Sequence, residues 1–242
     1  MPTAAILLIG NEILSGKVED QNARFLISEL RALGVGLRRI VVVPDVIDDI
    51  VPHLRELSAH FDHVFTSGGV GPTHDDLTME AVARAFDRKV VRHPDLEALL
   101  RRYYGERLHD RALRMADVPE GADLVRADEI LHWPVIAVKN VYILPGVPEI
   151  FRKKFLAIRA RFRAEPFFVR SIYLRPDESQ IAAALDRAQE AFPAVEIGSY
   201  PRFDTPDYRV KVTVESKDSA AVESCLAALL EAFPKDAVLR VE

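Results

Sequence analysis

The stretch TSGGVGPTHDDLT, Thr66 to Thr78, sits between a short apolar run at His63 to Thr66 and a helical pattern, Leu77 to Phe86, carried by Ala81, Val82 and Ala85. A strand that empties into a glycine-rich loop and restarts as a helix is the repeating unit of a parallel α/β sheet. Outward from it the same unit recurs. Ala4 to Ile9 reads as a fully buried strand ending at Gly10. Asp20 can cap a helix through Ala23, Leu26, Ile27, Leu30 and Leu33, stopped by Gly34. Leu37 to Val43 is the next strand and Ile47 to Leu57 the next helix. This alternation predicts a mostly parallel sheet with helices on both faces, a three-layer αβα fold.

Further along, Asp95 to about Ala116 reads as helical and Val135 to Leu144 as strand. Pro145-Gly146-Val147-Pro148 turns into a helix with an apolar face of Ile150, Phe151, Phe155, Ile158 and Phe162. Its basic residues Arg152, Lys153, Lys154, Arg159, Arg161 and Arg163 lack interleaved exposed aromatics, so they read as a solvated face rather than a nucleic-acid surface. Beyond Pro166 the rhythm changes. Phe167 to Leu174, Val195 to Tyr200, Tyr208 to Glu215 and Val238 to Val241 read as strands, with helices at Glu178 to Ala191 and Ser219 to Phe233. The order βαββαβ predicts a small α+β ferredoxin-like domain over residues 166–242, after a first domain over 1–165.

The 242 residues, 49% apolar, suffice for such cores, and the net charge of −5 gives no global basic field to recruit nucleic acid. The N-terminus lacks a basic segment and a cleavage site, and no apolar run reaches membrane-spanning length, so the expectation is a soluble cytoplasmic protein with no membrane partner. Cys225 falls on an apolar stripe with Val222, Leu226, Leu229 and Leu230 and reads as a core thiol.

Ligands of open parallel sheets sit beyond the carboxyl ends of the strands. Four unusual stretches fall there: Gly10-Asn11-Glu12, Pro44-Asp45, the loop from Ser67, and Leu144 to Pro148. Gly68, Gly69 and Gly71 can turn successive amides into one concavity, and the following helix adds a positive partial charge, a combination suited to phosphate. Asp75 and Asp76 would repel bare phosphate, so a Mg²⁺-like cation between them is implied, unless one of them caps the helix. His74 is a candidate proton shuttle or a solvent-exposed histidine. Glu12 is a candidate metal ligand or base, with a surface carboxylate as the alternative. Asn22 can meet a phosphate or base edge, or act in helix capping. Asp45 either completes an acidic cluster or caps the helix from Ile47. His60 and His63 lack a second ligand pair at zinc spacing, and no Ser-His-Asp arrangement is legible. The spacing matches neither a Walker A loop nor GxGxxG, which disfavours P-loop ATP hydrolysis and nicotinamide redox chemistry.

GNEILSGKVEDQN, TSGGVGPTHDDLT and NVYILPGVP together resemble the MoaB/Mog-like domain, often labelled molybdopterin-binding. This domain is shared by molybdenum-cofactor biosynthesis proteins, CinA amino-terminal domains and the amino-terminal domains of eukaryotic FAD synthases. The likeness spans Thr3 to Ile158 and lies nearest the CinA and FAD-synthase branch, with Glu149 directly after Pro148 as in the FAD-synthase-like members. The resemblance implies a homo-oligomer that binds a nucleotide or pterin phosphate, molybdopterin among the ligands. In this branch it also implies a metal-assisted hydrolase of ADP-ribose, FAD, CoA or similar pyrophosphates, using Mg, Mn or Co and K⁺. On that basis Gly10, Asn11, Glu12, Asn22, Ser67, Gly68, Gly69, Gly71, Pro72, Thr73, Pro145 and Gly146 would hold substrate and phosphate. Asp76, Asp75 and Asp45 would be catalytic, with Asp76 and Asp75 binding metal. No amidase-type or nucleotidyl-transferase stretch is present, so neither nicotinamide-nucleotide deamidation nor FAD synthesis is expected.

Overall fold

The computed structural model describes residues 1–125, 133–203, 207–234 and 236–242. The chain divides into two compact units, Met1–Ala164 and Glu165–Glu242.

The first unit runs β1 (Thr3–Ile9), α1 (Asn11–Leu14), α2 (Asn22–Ala32), β2 (Gly36–Val43), α3 (Ile47–His60), β3 (His63–Ser67) and α4 (Thr78–Ala85). It continues with β4 (Val90–Arg92), α5 (Pro94–Tyr104), α6 (Asp110–Leu113), β5 (Asp117–Pro119), β6 (Asp123–Val125), β7 (Val135–Val138), β8 (Val141–Leu144) and α7 (Pro148–Ile158). The main sheet has the order β2-β1-β3-β8-β7-β6. Its first four strands are parallel, and β7 and β6 are antiparallel additions.

β1 is buried on both faces because its alternating side chains feed two separate cores. Ala5, Leu7 and Ile9 pack with Ile50, Leu54 and Leu57 of α3 and with Ala81 and Val82 of α4. Ala4, Ile6 and Leu8 pack with Leu26 and Leu30 of α2 and with Phe151 and Phe155 of α7. The second core is built on aromatic edges: Phe65 meets Phe155 at 5.6 Å and Phe162 at 5.1 Å between ring centroids.

Several expectations change. The apolar run Val135 to Leu144 is a hairpin, not one strand. The chain reverses at Lys139, whose φ is 54°, and Asn140 anchors the turn by donating to the carbonyls of Ser58 (3.0 Å) and Phe61 (2.7 Å). Both arms are buried, and the polar pair Lys139-Asn140 between them is the sequence mark of the turn. The helical region from Asp95 is interrupted at Gly105, which adopts φ 55°. The three-residue strands β4, β5 and β6 are too short to leave a periodic signal. On α7, Ile150 is 46% exposed, while Lys154 is buried at 9% exposure. Lys154 is thus no part of a solvated basic face; its ammonium donates to the carbonyls of Trp133 (2.9 Å) and Pro134 (3.1 Å).

The second unit runs β9 (Phe168–Leu174), α8 (Glu178–Ala191), β10 (Glu196–Pro201), β11 (Val210–Ser216), α9 (Ser219–Ala232) and β12 (Val238–Val241). Its antiparallel sheet, β10-β11-β9-β12, has the ferredoxin-like order. Val210, Val212 and Val214 form the buried face of β11 and pack with Cys225 and Leu229 of α9. Burial pushes the Cys225 thiol up, as suits a core residue. Among the described residues no helix is long and apolar enough to cross a membrane.

Burial pushes the Lys154 ammonium down to about 8 from an ordinary value of 10.5. Between those two values the unfolded chain holds this proton and the folded chain does not, so the Lys154 contribution makes stability rise with pH across that window. The amplitude is at most about 3 kcal/mol, less what the two carbonyl bonds return to the charged form. Urea melts at pH 8 and pH 10.5 should show this rise in the parent, and Lys154→Met should lack it. Equal pH slopes in the two proteins would show that Lys154 keeps its proton.

Candidate functional site

β2, β1, β3 and β8 are adjacent and parallel, so the loops that leave their carboxyl ends open on one edge of the sheet. β1 lies between β2 and β3, so successive connections depart to opposite sides of it, and this switch in direction opens a crevice there. All four loops expected from the sequence are on this edge.

Direct contacts tie them together. Gly10 N donates to Val43 O at 3.1 Å, and Asn11 N donates to Asp45 Oδ2 at 2.9 Å, which pins the end of β1 to the end of β2. Asn22, 3% exposed, donates through Nδ2 to Ser67 Oγ (2.9 Å) and to Gly146 O (2.7 Å). Its amide hydrogens are therefore spent on β3 and on the loop after β8. Asn22 positions loops and has no donor left for a phosphate; its buried Oδ1 has no partner. The reverse amide orientation would set Oδ1 against the Gly146 carbonyl, so the assignment follows from the network. Asp20 caps α2, accepting from Asn22 N (3.1 Å) and Ala23 N (3.0 Å).

The glycines are there for close approach. A Cβ on Gly68, φ 109°, would lie 2.1 Å from Ile9 O, and one on Gly146 would lie 3.3 Å from Gly68 Cα. Gly69, φ 62°, leaves room for Thr78, whose Oγ1 donates to Gly68 O at 2.8 Å and whose N donates to Gly69 O at 3.0 Å. Thr78 is fully buried, and its hydroxyl joins the loop to the first turn of α4. Read as an ordinary first-turn threonine, it gave no sequence signal of this bond.

Neither Asp75 nor Asp76 caps α4, which starts at Thr78 after Leu77 with no side-chain cap. Asp76 folds back into its own loop. Its carboxylate accepts from Gly71 N (2.6 Å) and Thr73 N (2.7 Å) and lies 2.6 Å from Thr73 Oγ1. The amides of Gly71 and Thr73, expected to cradle phosphate, are thereby occupied, and Gly68 N is bonded to Leu144 O at 3.2 Å. Among the described residues the amides of Gly69 and Val70 are left without a protein partner. Pro72 is half-buried at the turn between them and Thr73, and Pro145 closes β8 beside Gly146.

Thr73 Oγ1 also lies 2.6 Å from Asp75 Oδ1. A hydroxyl has one proton, so one of its two carboxylate contacts is a bare oxygen–oxygen approach, which a cation would relieve. The donor set fits a hard divalent ion that keeps water and phosphate oxygens as its other ligands. The Thr73 hydroxyl holds the Asp75 carboxyl below the usual carboxylate range. Asp45 does not join this pair: among the described residues no group of three or more His, Cys, Asp or Glu converges. It does not cap α3 either, whose cap residue is Val46. The Glu12 carboxylate is exposed and lies over Gly10, where a Cβ would meet its Oε1 at 2.4 Å. His74 is almost fully exposed, with Nδ1 3.8 Å from Asp75 Oδ1.

With this edge in view, comparison with known proteins is specific. The probable molybdopterin binding domain matches residues 5–163. The chain belongs to that family. The FAD synthase middle domain matches residues 166–242, so the two matches follow one another along the chain. A protein of Archaeoglobus fulgidus is 33% identical over 91% of this chain and 93% of its own length. A probable FAD synthase of Caenorhabditis elegans is 31% identical over 95% of this chain, which spans 49% of that relative's length. The solved structure of the protein CinA, of unknown function, from Thermoplasma acidophilum is 32% identical with a TM-score of 0.60, covering 66% of this chain and 97% of that one.

Two substitutions test the construction of this edge. Gly68→Ala should cost about 2–3 kcal/mol through its left-handed backbone and the clash with Ile9 O. Asn22→Ala should cost about 2 kcal/mol by leaving Ser67 and the Gly146 carbonyl unpaired. Chemical denaturation of both variants measures these losses, and near-parental midpoints would show that the loops hold together by other means.

Proposed function

We infer that the four-loop edge binds a nucleotide through its pyrophosphate and hydrolyses it with the help of a divalent cation, the substrate being of the ADP-ribose, FAD or CoA type. The observation that carries this reading is the pair of carboxylates sharing one threonine hydroxyl beside two unpartnered amides. Gly69 and Val70 would donate to a non-bridging phosphate oxygen, reinforced by the amino terminus of α4. Asp75 and Asp76 would hold the cation, which supplies charge neutralisation and a more acidic water. Asp75, ionised and exposed, would accept a proton at its carboxylate. The succession of the two domains, shared over nearly the whole chain with a probable FAD synthase, supports a nucleotide as the ligand.

A second reading is a protein that holds molybdopterin or a nucleotide without turnover. The internal use of Asp76 favours it, since a carboxylate that accepts two amide bonds from its own loop has fewer lone pairs for a metal. The decisive assay offers FAD, ADP-ribose, CoA and NAD with Mg²⁺, Mn²⁺ or Co²⁺ in the presence of K⁺. Metal-dependent release of a phosphomonoester is expected, abolished by chelation and reduced about 10²-fold in Asp75→Asn. Asp76→Asn should lose activity and loop stability together. Absence of turnover, with tight pterin binding that Gly69→Ala removes, would replace the hydrolase by the binding protein.

A further inference from the structure

At the opposite edge of the same sheet lies a cleft of about 370 Å³, a volume within the range of small-molecule sites. Its walls are Arg55 and Ser58 from the end of α3, Ala85 and Phe86 from the end of α4, and Lys139 and Asn140 from the turn between β7 and β8. Among the described residues only two non-glycine residues have φ in the left-handed region, Asp87 and Lys139, both at 54°. Both border this cleft. Lys139 lines it, and Asp87 follows Phe86 and meets Arg55 at 3.3 Å. Both conformations have local causes: Lys139 turns the two-residue β7–β8 hairpin, and Asp87 follows the carboxyl end of α4.

The polar inventory of the walls is one-sided. Asn140 spends its amide hydrogens on the carbonyls of Ser58 and Phe61, and its Oδ1 accepts from Ser58 Oγ at 2.6 Å. Arg55 spends Nε on Ala85 O (2.9 Å) and Nη2 on Arg84 O (3.0 Å) and on Asp87. These bonds satisfy carbonyls at the ends of α3 and α4, where the helix dipoles are negative. What remains unspent is cationic. Arg55 Nη1 has no partner, and the Lys139 ammonium rests 4.6 Å from the Phe86 ring centroid with no oxygen partner among the described residues. The facing carboxylate, Asp87, is 89% exposed, so solvent screens it. Two free cationic donors over an aromatic floor suit an oxyanion.

We propose that this cleft is a second anion site, separate from the four-loop edge, that takes a phosphate group, either free phosphate or the phosphomonoester of a nucleotide. Lys139, carried on the β7–β8 turn and lining the cleft, is its principal ligand. The inference is independent of hydrolysis at the other edge, because no residue is common to the two sites.

Backbone amide NMR tests it. Inorganic phosphate is titrated at constant ionic strength set with NaCl, and AMP is titrated in a parallel arm. Saturable shifts are expected at Ser58, Phe86, Lys139 and Asn140. Tighter binding of AMP would identify a nucleotide as the source, and equal binding free phosphate. Lys139→Asn, which keeps a residue tolerant of this backbone, should weaken binding about tenfold or more. Lys139→Gly should do the same with a Tm no lower than the parent's. Shifts that fail to saturate, that fall elsewhere, or that persist unchanged in both variants would overturn the proposal.

Discussion

One buried carboxamide joins the parts of the candidate site that are farthest apart in the chain. Asn22 has two amide hydrogens, and both are satisfied only when the start of α2, the end of β3 and the loop after β8 arrive together. An unpaired buried donor costs roughly 1–3 kcal/mol, so any arrangement that separates these segments is penalised at three groups at once. The parallel pairing of β1, β3 and β8 brings the segments to one edge, and the amide then sets their spacing. The unpartnered Oδ1 is the residual cost of that geometry.

Within this frame the glycine-rich loop is shaped by contacts within the protein. Gly68 lets the loop pass against Ile9 and Gly146, and Gly69 makes way for the Thr78 side chain. Asp76 then draws in the amides of Gly71 and Thr73, so the loop carries its own anion. The amides of Gly69 and Val70 have no protein partner among the described residues, so the carboxylates and the free amides occupy different parts of the same loop.

Three of the elements that end at this edge also end at the other. α3 leaves the loop containing Asp45 and finishes beside Ser58, and α4 runs from Thr78 to Phe86. β8 connects the Lys139-Asn140 turn to Pro145-Gly146 in four residues, about 13 Å of strand. The two edges are thus the two ends of the same short rigid pieces.

Much of the first unit was legible in the sequence because its determinants are local and periodic. β1, its burial on both faces and the four strand-end loops follow from short apolar runs punctuated by Gly and Pro, and βαββαβ follows from alternation such as that of Val210, Val212 and Val214. The glycines and the acidic pair announced a site for the same reason: their meaning lies in backbone permissiveness and charge. What only the tertiary structure decided rests on partners distant in the chain or on hydrogen-bond competition within a loop. Asn22 is bonded across 45 and 124 residues. Lys154 is buried because two carbonyls 20 and 21 residues away receive it, although its helix face reads as basic and solvated. The reversal at Lys139 is marked in the sequence only by the polar pair Lys139-Asn140 between two buried strands, and its anchoring on the Ser58 and Phe61 carbonyls is tertiary. Local sequence states what a side chain can donate or accept; only the folded chain states which of its candidate partners arrives first.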